Sequence, residues 1–161
     1  MLRKSSNQDR RTSLNASVEL RPMQIEDYDE VRNLWEAADG VGLHEPSDCR
    51  EQIEYYLQRN VGLSQVAILN SQIVAAVLCG HDGRRGYLSH LAVTKDFRGR
   101  GIGKRIVTEC LQRLSEFVPG CNIRLYDDNT TGTEFWSALG WTLTGVHVLI
   151  HPTESTTTVD D

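Results

Sequence analysis

Apolar positions follow two different spacings along the chain, and each spacing predicts a type of element. In some segments apolar residues recur about every 3.6 positions, which predicts helices over residues 25–39, 48–58, 102–117 and 131–139. In others they alternate with polar residues or run continuously between turn residues, which predicts strands over residues 18–21, 65–69, 72–79, 87–93, 122–126 and 141–150. A tight turn at Asn70-Ser71 and a glycine-containing turn at 80–86 make the three middle strands an antiparallel meander.

The order of these elements is β-α-α-β-β-β-α-β-α-β. Because parallel strands need a long connection, the passage from residue 87 to residue 126 predicts a parallel crossover through one helix. The meander predicts antiparallel pairs, so we expect an α+β fold whose mixed, mostly antiparallel sheet is flanked by helices. Asp48, followed three residues later by Glu51, predicts an acidic version of a capping box at the start of the second helix.

Length and charge narrow the class of protein. The chain has 161 residues, which suits one domain, and we place that domain at residues 18–151. Residues 1–17 and 152–161 are poor in large apolar groups, so we expect two disordered tails. The sequence offers no membrane span and no apolar secretory core at its start. A net charge of −5 leaves no basic surplus for nucleic acid. We expect a cytoplasmic protein with no nucleic-acid or membrane partner.

The cysteines indicate neither disulfide nor metal chemistry. They form no C-x-x-C pair, and no histidine is spaced to complete a zinc site. We therefore expect reduced thiols and no metal. Cys79 and Cys110 lie in apolar stretches, which predicts that both are small core residues.

One glycine-rich segment indicates a phosphate site. Residues 97–104 read F-R-G-R-G-I-G-K and join a predicted strand to a predicted helix. Glycines let the backbone turn sharply, and the unpaired N–H groups that begin a helix attract anions. Arg98, Arg100 and Lys104 can add positive charge. The segment departs from the Walker and dinucleotide-binding patterns, and a glycine turn that only lets the helix pack closely is the alternative.

Two motifs in this order resemble those of the GNAT-type N-acetyltransferases. The first is Leu91-Ala92-Val93, a spacer, and then R-x-x-G-x-G at residues 98–103. The second is Asn129 followed by F-W-S-A-L-G-W at residues 135–141, which is similar to the family's N…F-Y-x-x-x-G-F segment. The resemblance covers about residues 18–150 and favours a small bacterial-type subgroup. It implies a sheet that splays open between the strands at 87–93 and 122–126.

The resemblance also implies acetyl-CoA as the co-substrate and an amine as its acceptor, in a monomer or homodimer. The pyrophosphate would rest on the N–H groups of residues 98–104, and the pantetheine arm would pair with the backbone of Leu91 and Val93. The cofactor residues that it implies are Leu91, Ala92, Val93, Arg98, Gly99, Arg100, Gly101, Ile102, Gly103, Lys104 and Asn129.

The catalytic groups depart from the family pattern. The positions where relatives carry a general base hold Tyr87 and Ser89 here. His90 is the better base, but strand alternation points it to the opposite face unless a β-bulge re-aims it. His90 and Tyr87 are the catalytic candidates. Trp136 stands where the family usually has a tyrosine that protonates the leaving thiolate.

These features favour one function and leave others open. The leading hypothesis is an N-acetyltransferase in which a primary amine, expected on a small molecule, attacks the thioester of acetyl-CoA directly. A protein or peptide N-acetyltransferase is the alternative among enzymes. A CoA-binding sensor with little turnover is the alternative of another class, and a binder of some other phosphate ligand is the last.

Overall fold

The computed structural model describes residues 17–151 and residue 153. Its sheet has five strands in the order β1 to β5, bounded as follows: β1 Glu19–Pro22, β2 Gln65–Leu69, β3 Gln72–His81, β4 Gly86–Val93 and β5 Cys121–Ile123. Neighbours from β1 to β4 are antiparallel, whereas β4 and β5 are parallel. The predicted α+β class and the mixed, mostly antiparallel sheet are confirmed. The tails predicted at 1–17 and 152–161 lie outside the described residues, apart from Ser17 and Thr153.

In the described part of the chain, four α-helices of more than one turn flank the sheet: α1 Tyr28–Glu36, α2 Arg50–Arg59, α3 Ile102–Leu114 and α4 Thr130–Ala138. The first and third are shorter than their apolar spacing predicts. After α1 the Ala38 N–H bonds the Trp35 carbonyl, and after α3 the Phe117 N–H bonds the Leu114 carbonyl. These i to i+3 bonds tighten the last turn, so the apolar spacing continues for a few residues after the α-helix has ended.

Apolar side chains form one core on each face of the sheet. The core on the α3 face includes Leu88, Ile106 and Cys110, and the core on the α1–α2 face includes Trp35 and Ile53. Cys79 and Cys110 are buried free thiols, as predicted. The contact with the Cys79 side chain, together with burial, raises the pKa of Cys110, so this thiol remains protonated and unreactive at neutral pH.

The strand predicted at 141–150 is wrong. The structure has no regular element there, and large apolar side chains such as Leu143 and Leu149 are 94% and 91% exposed. A strand needs a partner along its length, but β5 is only three residues long and Gly145 lacks a side chain to pack. The apolar pattern therefore predicted a strand for which the sheet provides no partner.

Candidate active site

A β-bulge in the middle of β4 decides where its side chains point. Along β3 the step from Ala76 to Leu78 covers two residues, while their partners Ala92 and Ser89 are three apart on β4. The extra residue reverses the alternation, so Leu88 packs in the core on the α3 face and Ala92 in the core on the α1–α2 face. His90 lies in the bulge with φ of +55°, a left-handed conformation that few non-glycine residues adopt.

The bulge turns the His90 side chain onto the α1–α2 face. There its ring meets the edge of the Trp35 ring at 5.0 Å between centroids. Its Nε2 lies 2.9 Å from Asp48 Oδ1, although the ring N–H is not aligned with that oxygen. Trp35 Nε1 is also buried without an acceptor among the described residues. Buried polar atoms without aligned partners are uncommon in folded proteins, and here two of them lie on adjoining rings.

Asp48 does not cap α2 as the sequence predicts. The N-cap residue is Cys49, and its side chain makes no cap hydrogen bond. The Asp48 carboxylate instead turns inward, where Oδ2 accepts the backbone N–H of His44 at 2.7 Å and Oδ1 faces His90. The capping-box prediction is therefore wrong, because the carboxylate bonds the His44 N–H and faces His90 instead of the start of α2. No local pattern in the sequence pairs Asp48 with a histidine so far along the chain.

Tyr87 lies away from this pair. It precedes the bulge and is exposed, and its hydroxyl donates to Asp82 Oδ2 at 3.2 Å in the β3–β4 turn. The N–H groups of Arg85 and Arg84 bond the same carboxylate and lower the pKa of Asp82. The structure therefore gathers His90, Asp48 and Trp35, and it places Tyr87 in a turn network.

The edge of β4 that faces β5 is paired over only half of its length. The ladder joins Gly86 to Cys121 and ends where Leu88 meets Ile123. Beyond that point, within the described part of the chain, residues 89–93 have no strand partner on this side. The sheet is therefore splayed here, as predicted. The free edge includes the backbone of Leu91 and Val93, which can pair with an extended ligand arm as a further strand would.

The glycine-rich loop follows this edge and leads into α3. Gly99 and Gly101 have φ of +73° and +84°, and Gly101 is the N-cap of α3. A Cβ at Gly99 would meet no heavy atom within 4 Å, so the loop is open to an approaching group. The next N–H groups, from Ile102 to Lys104, begin a helix of more than three turns and can bind an anion.

The charged and buried residues of this loop have additional contacts. Arg98 Nε donates to the Val93 carbonyl at 2.9 Å, and the Arg100 guanidinium lies 5.1 Å from the Phe97 ring centre. Gly103 is buried, and a Cβ there would press on Phe135 at 3.1 Å. Arg98 therefore helps to shape the loop, and Gly103 serves the packing of α3 on α4 in addition to offering an N–H group.

Asn129 and Trp136 belong to α4 in different ways. Asn129 is its N-cap, and its Oδ1 accepts the Gly132 N–H at 2.8 Å. Trp136 is 5% exposed and packs edge-on to Phe135 and Trp141, with ring centres 5.1 and 4.8 Å away. The amide of Asn129 has a structural partner, and the indole of Trp136 is a core group.

The loop between α1 and α2 reaches across to the segment that follows β5. Gly42 packs against the Tyr126 hydroxyl, and His44 Nε2 lies 3.3 Å from the same hydroxyl. Because Asp48 ties the end of this loop to His90 on β4, the loop spans the gap between β4 and β5. Sequence spacing gave no sign of this contact.

Two further findings concern metals and membranes. Among the described residues, no group of three or more His, Cys, Asp or Glu side chains could hold a metal ion. No helix in the same part of the chain is long and apolar enough to cross a membrane.

Known structures share this fold. An aminoglycoside acetyltransferase from an uncultured soil metagenomic sample, in complex with sisomicin, is 17% identical with a TM-score of 0.69, over 88% of this chain and 99% of that one. Arabidopsis thaliana Naa50, in complex with the bisubstrate analogue CoA-Ac-MVNAL, is 20% identical with a TM-score of 0.63, over 80% and 85%. A longer chain from Pyrococcus horikoshii is 17% identical with a TM-score of 0.64, over 78% of this chain but 43% of that one.

At these identities the likeness establishes the fold, and it leaves the acceptor open because the matched proteins differ in theirs. The sequence itself identifies the family. The model of the acetyltransferase (GNAT) family matches residues 28–141, which include the bulged strand, the glycine-rich loop and α4. The chain therefore belongs to the GNAT family of acetyltransferases.

Proposed function

We propose that this acetyltransferase moves an acetyl group from acetyl-CoA to the primary amine of a small-molecule acceptor. The observation that carries the proposal is the bulge in β4. It directs His90 toward the α1–α2 face at the point where the strand loses its β5 partner. A basic side chain and a free backbone edge thus meet at one place.

The residues along this edge fit acetyl-CoA, which supplies a reactive thioester when bound. The backbone of Leu91, Ala92 and Val93 would hold the pantetheine arm, because this edge lacks a strand partner. The loop would hold the pyrophosphate through N–H groups that the open space around Gly99 leaves accessible. Asn129 would border the arm while it caps α4. The groups proposed for the pyrophosphate are Arg98, Gly99, Arg100, Gly101, Ile102, Gly103 and Lys104.

His90 acts as the general base. An alkyl amine is mostly protonated at neutral pH and cannot attack in that form. One proton passes from the ammonium group to His90, and the neutral nitrogen then bonds to the acyl carbon while the carbon–sulfur bond breaks. The second N–H proton ends on the thiol product. Such a base typically contributes ~10²–10⁴-fold to the rate.

No protein acid is needed at the sulfur. Trp136 has no acidic proton to give and is buried in the core. A thiol with a pKa near 8.5 is already a fair leaving group, so water can protonate it. Tyr87, whose hydroxyl donates to Asp82, has no part in this step.

The acceptor is a compact molecule. The loop from α1 to α2 contacts Tyr126 and spans the gap between β4 and β5, which narrows the approach to His90. A narrow approach suits a small amine better than an extended peptide. The proposal places the enzyme in the cytoplasm, as a monomer or homodimer.

The proposal is tested by measuring thiol release from acetyl-CoA in the presence of each member of an amine panel. The panel holds aminoglycosides, polyamines, amino acids and short peptides with free N-termini. We expect turnover with a small amine and its loss in His90→Asn, which keeps a residue that tolerates positive φ. Turnover with peptides alone would make the chain a peptide acetyltransferase. Calorimetric binding of acetyl-CoA without turnover on any amine would favour the sensor.

A further inference from the structure

Asp48 is a buried carboxylate that lies beside His90. Its side chain is 8% exposed. Arg32 Nη1 bonds the backbone carbonyl of Asp48 at 3.0 Å, and its ion pairs go to Glu36 and Glu45. The Asp48 carboxylate is instead held by the His44 N–H and faces the His90 ring. Burying a carboxylate is costly unless it is paired, so the fold places this charge where an imidazolium can form.

We propose that Asp48 is a positioning residue for His90: it keeps the proton of the neutral ring on Nε2 and leaves Nδ1 as the atom that accepts a proton from the amine. The inference rests on the proposed function, because it takes His90 as the base. It adds a residue that acts through His90 without touching the substrate, and it assigns the reacting nitrogen.

The geometry separates the two ring nitrogens. Nε2 is buried and lies 2.9 Å from a carboxylate oxygen of Asp48. A lone pair on Nε2 would be repelled by the negative carboxylate, whereas a proton on Nε2 is attracted to it. The N–H lies off the line to Oδ1, and Asp48 therefore acts mainly through its charge. The other nitrogen, Nδ1, keeps its lone pair. The Trp35 ring, whose centre lies 5.0 Å from that of His90, and the backbone of the bulge limit rotation of the imidazole.

The proton balance follows from this arrangement. The substrate ammonium gives one proton to Nδ1, and the ring becomes an imidazolium with protons on both nitrogens. Asp48 stabilises that cation while the neutral amine attacks. Transfer of the Nδ1 proton to solvent returns the ring to its starting form.

Among the described residues, the charged side chain that contacts the His90 ring is Asp48. The segment before α2 presents Asp48, α1 presents the uncharged Trp35, and β3 presents the apolar Ala76 and Leu78 on the same face. The pH dependence of the base should therefore respond to a change at Asp48.

A kinetic cycle tests the inference. Asp48→Asn keeps the shape and removes the charge, and Glu45→Gln is the matched control because Glu45 lies on the same loop and pairs with Arg32. We expect Asp48→Asn to lower kcat/KM about tenfold, the size of a coupling between neighbouring residues. We also expect it to move the acidic limb of the pH profile to lower pH, because the imidazolium loses its counter-charge. Glu45→Gln should change neither.

The same substitution in a His90→Asn background separates positioning from folding. If Asp48 acts through His90, Asp48→Asn causes no further loss of kcat/KM in the His90→Asn background. A loss of the same size in both backgrounds, or an unmoved acidic limb, would overturn the inference. Thermal unfolding of each variant checks that the protein is folded.

Nitrogen-15 NMR of the histidine rings gives a readout that needs no activity. We expect His90 to be a single Nε2-protonated tautomer in the wild-type protein and a mixture of tautomers in Asp48→Ala. An Nδ1-protonated ring in the wild type, or identical spectra, would overturn the pairing. If His90→Asn instead leaves kcat/KM unchanged, the base assigned in the proposed function fails, and the NMR result still decides whether Asp48 holds the ring.

Discussion

The two halves of β4 differ in how their backbones are paired. From Gly86 to Leu88 the strand lies between β3 and β5, and Leu88 is 2% exposed. From residue 89 onward β3 remains the partner but β5 has diverged, and the bulge adds a residue with positive φ. The first half is therefore an inner part of the sheet, and the second is an edge to which we assign the chemistry.

The difference shows how one strand supports both stability and function. A fully paired strand has no backbone group left for a ligand. The second half keeps its β3 ladder, and we propose that its other, unpaired edge holds the pantetheine arm. The positive φ at His90 costs conformational free energy, and the surrounding ladder and core hold the residue in that conformation.

Truncation of an apolar side chain in each half should separate their structural roles. Leu88→Ala should lower the free energy of unfolding by about 2–5 kcal/mol, because it removes buried methyl groups and leaves a cavity. Leu91→Ala removes the same atoms from a partly buried position and should cost less than half as much. Denaturant unfolding measures both, and equal losses would break the distinction between the halves.

Replacement of the bulge residue should affect activity far more than folding. His90→Asn should lower kcat/KM by at least ~10²-fold and remove the acidic limb of the pH profile. Ser89→Ala, the neighbouring change on the same strand, is the control and should stay within about twofold of wild type. Steady-state kinetics with an identified amine decide the matter, and near-normal activity of His90→Asn would make the histidine structural.

A negative charge introduced into the glycine-rich loop should weaken the binding of acetyl-CoA. Gly99→Asp places a carboxylate in a loop proposed to hold a pyrophosphate, and repulsion should lower acetyl-CoA affinity about tenfold, or about 1.4 kcal/mol. Gly99→Asn is nearly the same size and meets the same positive φ, so it separates charge from backbone strain. Calorimetry compares the acetyl-CoA affinities of the two variants, and equal affinities would contradict the assignment of the pyrophosphate to this loop.

Sequence patterns predicted the paired part of the molecule well, and the open part less well. The strands β1 to β4 and the helix α3 follow from apolar runs and apolar spacing, because β2 and β3 are buried on both faces and α3 packs one face on the sheet. The bulge at His90 has no such signal in apolar spacing, since it is a shift in the register between β3 and β4. Asp48 was misjudged because a carboxylate before a helix is usually a cap. The segment 141–150 was misjudged because alternation does not reveal whether a partner strand is present.

Substitution of Trp136 has the smallest expected effect. It tests whether the core that packs on the first half of β4 takes part in catalysis. Its ring lies in the same core as Leu88, packed against Phe135 and Trp141. Trp136→Tyr supplies the hydroxyl that the family motif usually has, yet we expect kcat to change by less than tenfold, below the ~10²–10⁴ range of an acid–base group. Trp136→Phe makes a similar cavity without a hydroxyl, so both variants should unfold at a lower temperature by comparable amounts. A hundredfold gain in kcat for the tyrosine variant alone would show that thiolate protonation limits this enzyme, and that the α3 face contributes to catalysis.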